Sequence, residues 1–169
     1  MHTAQIEECQ IEIVNGREEV RNLGEYEHTI MQKVLTFLLG NQDKERGTRT
    51  LQEQSIQITP ETRRVPDVAV FLRATPVEPV FRNPPIAIIE VLSRQDRIQR
   101  YDERIEDYMR VGVKHIYVID PHTYKAWDVS DGSWVRTQRL QIKDRIHSND
   151  EGWSIAMTEI LEALKEQEA

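Results

Sequence analysis

At 169 residues, 38% of them apolar and 30% charged, the chain has the size and balance of one soluble globular domain with room for a proper core. Its formal charge of −7 argues against a protein that coats nucleic acid through a broad basic surface, but not against a nuclease, whose metal-carboxylate site is itself acidic. The lone Cys9 excludes an intrachain disulfide framework and a cysteine-based zinc site; with no membrane-length apolar run and no signal-peptide pattern, a cytoplasmic setting is expected.

The alternating run Gln10 to Val14, followed by the turn signal Asn15-Gly16, predicts a short opening strand. Gly24 precedes a helix predicted over Glu25 to Leu39. There Ile30, Val34, Phe37 and Leu38 recur at helical spacing, and Gly40-Asn41 supplies the stop. Asp43 to Arg49 reads as a charged loop. Three strands are then expected. Leu51 to Ile58 is ended by Thr59-Pro60, and Val68 to Phe71 is entered through Arg63-Arg64-Val65-Pro66-Asp67. Ile86 to Val91 opens on a continuous apolar run, which suits a strand buried on both faces. The connection before it contains Pro76, Pro79, Pro84 and Pro85, stiff enough to lie over one end of the sheet.

A second helix, Arg97 to Val111, sets Ile98, Tyr101, Ile105, Tyr108 and Met109 on one face and ends at Gly112. His115 to Ile119 is the next strand, stopped by Asp120-Pro121. Tyr124 to Val129 and Trp134-Val135, either side of Asp131-Gly132, suggest a hairpin. Leu140 to His147 and Trp153 to Ile155 read as weaker strands before a closing helix, Ile160 to Lys165. Tyr117, Trp127 and Trp134 are expected in the core or on a sheet face. With no repeat or interdomain linker, residues 1–169 are expected to form a single domain. Its class is α/β (α+β), a mixed central sheet in the order helix, three strands, helix, strand, with C-terminal strands and a helix added.

Glu90 ends the apolar run of the third of these strands. A carboxylate there is costly unless it is paired, protonated, bound to a metal or already emerging into solvent. If Val68–Phe71 and Ile86–Glu90 pair antiparallel, Asp67 at the start of one lies beside Glu90 at the end of the other. Asp67 also reads, on its own, as a turn or capping acid after Pro66. Two acids at close range repel, and a divalent cation removes the conflict; oxygen ligands favour Mg²⁺ or Mn²⁺. Such an ion can polarise a phosphoryl oxygen and lower the pKa of an attacking water.

On the second helix Arg97, Arg104 and Tyr108 fall within roughly 40° of one another. Arg104 therefore borders the apolar face. It either contacts a phosphate or forms an exposed ion pair with a neighbouring Glu103, Glu106 or Asp107. Glu27, on the first helix, is a candidate to hold a metal-bound water, against the reading in which first-turn acids serve the helix dipole. His28, with no second histidine at ligand spacing, reads as structural. The sequence carries no phosphate-binding glycine loop, nucleophile elbow or dinucleotide fingerprint.

Four stretches together resemble the Uma-two family of restriction endonucleases, within the PD-(D/E)XK nuclease superfamily. They are Val65-Pro66-Asp67-Val68-Ala69-Val70, Pro84-Pro85 leading to Glu90-Val91-Leu92-Ser93, Tyr108 with Gly112-Val113, and Tyr117-Val118-Ile119-Asp120-Pro121. The resemblance covers nearly the whole chain. It implies a restriction-endonuclease-like core, a homodimer, DNA as substrate, and Asp67 and Glu90, with Val91 beside them, as the Mg²⁺ or Mn²⁺ site. In that family the strand lacks the usual lysine, and position 92 here is Leu. A lysine often stands instead on the following helix, where this chain has Arg104. The expected function is a metal-dependent DNA endonuclease with Asp67, Glu90, Arg104 and Glu27 as its catalytic residues. The alternative is a nuclease fold that has lost its base and binds DNA or protein, because an arginine stays protonated.

Overall fold

A computed structural model of the chain describes residues 11–20, 25–94, 98–132, 134, 140–148 and 151–168. Cys9, Gln10, Gly24, Arg97 and Val135, used above, lie outside them. The chain opens with a hairpin, β1 (Ile11–Val14) and β2 (Arg17–Val20), turning at Asn15 and Gly16 with φ of 51° and 74°. Positive φ at both turn positions matches the twist of a two-residue hairpin, which is why Asn-Gly suits it. The second strand of this hairpin, Arg-Glu-Glu-Val, has no apolar alternation and gave no sequence signal.

Helix α1 (Tyr26–Gly40) follows, then a single helical turn, α2 (Asp43–Arg46), where a loop was expected. The run read as one strand, Leu51 to Ile58, is two: β3 (Thr48–Gln52) and β4 (Ile56–Thr59), which join different sheets. The break falls at Glu53, whose φ of 51° takes it out of extended geometry while its N–H donates to the Asp67 carbonyl at 3.2 Å. A further short strand, β5 (Thr62–Arg64), then leads to β6 (Val68–Leu72) and β7 (Ala87–Val91). Between those two, Phe81 bridges to Ile56 and packs on Phe71 at 4.3 Å, so the proline-rich connection is tied down by a buried ring.

Helix α3 (Ile98–Arg110) crosses to β8 (His115–Asp120), which is followed by β9 (Lys125–Asp128) and β10 (Leu140–Ile142). The chain ends in β11 (Arg145–His147), β12 (Ser154–Ala156) and α4 (Met157–Glu168). The partner of β9 is β10, not the Trp134 segment, and α4 begins three residues ahead of the helix expected at Ile160. Trp134 is buried and meets Trp127 edge-on at 5.2 Å.

The main sheet runs β10-β9-β8-β7-β6-β3. Its neighbours are antiparallel except β7 with β8, which pair parallel through the α3 crossover. The expected order of helix, three strands, helix, strand is therefore observed, with β4 and β5 inserted. All of β7 is buried, and its side chains divide by period two. Ala87, Ile89 and Val91 join the core shared with α1 and α4, while Ile88 joins Tyr101, Ile105 and Tyr108 of α3 on the other face. Each fully buried aliphatic side chain contributes about 1.5–3 kcal/mol. Glu90 falls on the α3 face. The second sheet, β2-β1-β5-β4, stands on that side as well, since Glu12 of β1 and Arg64 of β5 reach α3.

Candidate metal centre at the Asp67–Glu90 edge

Val68 pairs with Ile89 in the β6–β7 ladder, and continuing that register by one residue sets Asp67 beside Glu90. The antiparallel pairing assumed from the sequence is the one observed. A direct link joins the two positions, because the N–H of Val91 donates to Asp67 Oδ2 at 2.8 Å. Asp67 is then fixed from α1. His28 Nε2 lies 3.4 Å from Asp67 Oδ2, and one turn on, Gln32 Nε2 donates to the Asp67 carbonyl at 3.0 Å. The i, i+4 spacing puts both side chains on one face of the helix. His28, read as structural, is thus a neighbour of the candidate ligand.

Glu90 is enclosed, with no exposed surface. Tyr108 Oη donates to its Oε1 at 2.5 Å, and Arg104 Nη1 to its Oε2 at 3.1 Å. Arg104 is only 7% exposed and does not make the surface ion pair considered above. Its Nη2 donates at 2.9 Å to Glu12 Oε1, which also accepts the N–H of Val65. Glu12 Oε2 accepts from Arg64 Nη1 at 3.1 Å, and Arg64 Nε donates to Asp107 at 2.8 Å. Among the described residues, the buried charged side chains are Glu12, Arg64, Asp67, Glu90, Arg104 and Asp107. All belong to this one cluster.

The electrostatics follow from that enclosure. Burial pushes the Glu90 carboxyl up to about 8; Arg104 and Tyr108 pull it down, while Asp67 and Glu12 push it further up. Burial opposes the charge on Arg104, yet Glu90 and Glu12 outweigh it, so the guanidinium stays charged. The Tyr108 hydroxyl is held well above its ordinary value by burial and by Glu90, and so remains a donor. Four carboxylates face the buried Arg64 and Arg104 and the more exposed Arg110, which meets Asp107 at 2.8 Å, so one acid is left for a proton or a cation to balance.

The donor set fits a divalent ion in kind, being hard carboxylate oxygens, and fits it in charge. Each Glu90 oxygen accepts one of the donations described and has a second lone pair. Against this, among the described residues no group of three or more His, Cys, Asp or Glu side chains is gathered as a metal cage. An ion would therefore lean on two carboxylates and water. The Val91 carbonyl accepts the Tyr101 hydroxyl at 2.9 Å. Glu27 is half-buried on the first turn of α1, next to the His28 that reaches Asp67.

A model of the Uma2 family, described as "Putative restriction endonuclease", matches residues 3–161. The chain belongs to the Uma2 family. No curated protein matches it. Among solved structures it is similar to "a putative nuclease belonging to DUF820 from Anabaena variabilis ATCC 29413", with a TM-score of 0.77 and 15% identity. That alignment covers 91% of this chain and 90% of the other. The likeness is one of fold, and the fold is the Uma2 nuclease fold expected from the sequence. A DrdV–DNA complex aligns at a TM-score of 0.41 and 17% identity, over 78% of this chain and 10% of that one. Among the described residues of this Uma2 chain, no helix is long and apolar enough to cross a membrane.

Proposed function

We propose that this Uma2 chain is a divalent-metal-dependent DNA endonuclease of restriction type, with Asp67 and Glu90 as the ligands of Mg²⁺ or Mn²⁺. The observation that supports this reading is the juxtaposition of the two carboxylates across β6 and β7, inside a cluster with more acid than base. A bound ion would supply Lewis acidity to a phosphoryl oxygen and acidify a water. The chain's own residues do the rest. Val91 N–H and His28 hold the Asp67 carboxylate, Tyr108 holds Glu90, and Glu12 holds Arg104 against Glu90. Arg104 acts in this reading as a fixed positive charge beside the reacting phosphate and not as the base. The Val91 carbonyl and Glu27 are proposed as further participants, and a homodimer as the assembled form.

The test is nicking of supercoiled plasmid by purified protein with Mg²⁺ or Mn²⁺, compared with Asp67→Asn. Metal-dependent nicking lost in the variant supports the proposal; equal nicking by both proteins removes it. One observation favours a second reading, a nuclease fold without hydrolysis: both Glu90 oxygens are engaged by Arg104 and Tyr108. Under that reading neither protein nicks, and Mn²⁺ binds without dependence on Glu90.

A further inference from the structure

Three segments meet where the parallel strands β7 and β8 leave the sheet. The Leu92 N–H donates to the Ile119 carbonyl, so the two strands end side by side. Arg94 lies two residues beyond Leu92, and His122 two beyond Asp120, whose carboxylate pins the turn by accepting from the N–H of His122 at 2.9 Å. Glu25 comes from the third segment. It precedes the first residue of α1 and its side chain makes no capping hydrogen bond to the helix. Its Oε2 lies instead 3.7 Å from Arg94 Nε and 3.6 Å from His122 Nε2, while Arg94 Nη2 lies 3.3 Å from His122 Nδ1. The cluster is joined to the candidate metal centre along the chain: Glu25 is three residues before His28, the neighbour of Asp67, and Arg94 is four residues after Glu90.

The two contacts to Glu25 are longer than hydrogen bonds, and Arg94 is 66% exposed. Such a pair contributes little to stability and exchanges readily. A carboxylate oxygen between a guanidinium and an imidazole stands where a phosphate oxygen would be received, and a phosphate takes a charged fork of donors better. The start of α1, where Glu25 stands, adds the partial positive charge of a helix N-terminus.

We propose that Arg94 and His122 form a phosphate-binding clamp for the DNA strand next to the scissile position, and that Glu25 occupies the clamp until DNA displaces it. The proposal rests on the nuclease reading for its substrate. Its test is binding, not cutting: fluorescence anisotropy of a labelled mixed-sequence DNA duplex, with a chelator present, at salt from roughly 50 to 200 mM. Loss of one phosphate contact makes the slope of log K against log salt shallower by about 1, so Arg94→Ala is expected to show that change together with several-fold weaker binding. Arg94→Lys keeps the slope, because the charge alone sets it. Glu25→Gln binds more tightly than the parent. An unchanged slope in Arg94→Ala, weaker binding in Glu25→Gln, or no binding by the parent overturns the proposal. Asp67-dependent nicking with an unchanged Arg94 slope sinks the clamp and leaves the nuclease; a changed slope without Asp67-dependent nicking does the reverse.

Discussion

Replacing Glu90 with glutamine should flatten the dependence of stability on pH. The carboxyl is enclosed, and burial with Asp67 and Glu12 raises it from the ordinary 4.5 to about 8 against the pull of Arg104 and Tyr108. The folded chain then holds a proton that the unfolded chain releases between those limits. Stability is therefore greatest below about pH 4.5, falls as pH climbs towards 8, and levels off above it. At about 1.4 kcal/mol per pH unit, that span sets a ceiling of about 5 kcal/mol. Relaxation of the cluster around the ionised carboxylate lowers this ceiling, and we expect an observed loss of about 2–4 kcal/mol. The assay is urea denaturation of the parent and Glu90→Gln between pH 5 and 8, with a chelator present. His28 lies beside Asp67 in both proteins, so the difference between the profiles isolates Glu90. Parallel profiles would refute the argument that an enclosed, protonated carboxyl sits at the end of β7.

Glu12→Ala leaves Arg64 and Arg104 buried beside a missing partner, and the expected destabilisation is about 3–5 kcal/mol, read from the denaturation midpoint. Tyr108→Phe removes a donor that favours ionised Glu90, so the pH at which Mn²⁺ binding is half-maximal should rise by about 1–2 units. Gly112 ends α3 with φ of 91°, and Gly112→Ala should lower stability by about 1–2 kcal/mol, seen as a reduced Tm without loss of metal binding.

What the sequence made legible was the part written in apolar runs. Ile86 to Val91 and His115 to Ile119 hold β7 and β8 because a largely apolar run rich in β-branched residues lies well in a sheet interior. Once β6 and β7 are antiparallel, the positions of Asp67 and Glu90 follow from topology. Of the second sheet only β1 and the body of β4 were legible as strand, because Arg-Glu-Glu-Val and Thr-Arg-Arg carry no alternation. Its contribution to the site was hidden for the same reason. In β1, Glu12 faces inward beside Val14 while Ile11 and Ile13 are only half-buried, so a carboxylate takes an inward place that hydrophobicity would give to isoleucine. The two guanidiniums and the Val65 N–H waiting inside explain that choice, and they arrive from residues 52, 92 and 53 positions away. The break at Glu53 was equally hidden, since a non-glycine residue with positive φ leaves no compositional mark.

The proposed metal centre requires Asp67 and Glu90 to accept one cation between them. Calorimetric titration of the purified protein with Mn²⁺ at pH 8, alongside Asp67→Asn and Glu90→Gln, addresses this directly. Saturable binding by the parent that each substitution abolishes is the expected result. Binding that survives either change, or none by the parent, would mean that the cluster is a protein salt bridge and that hydrolysis, if present, occurs elsewhere.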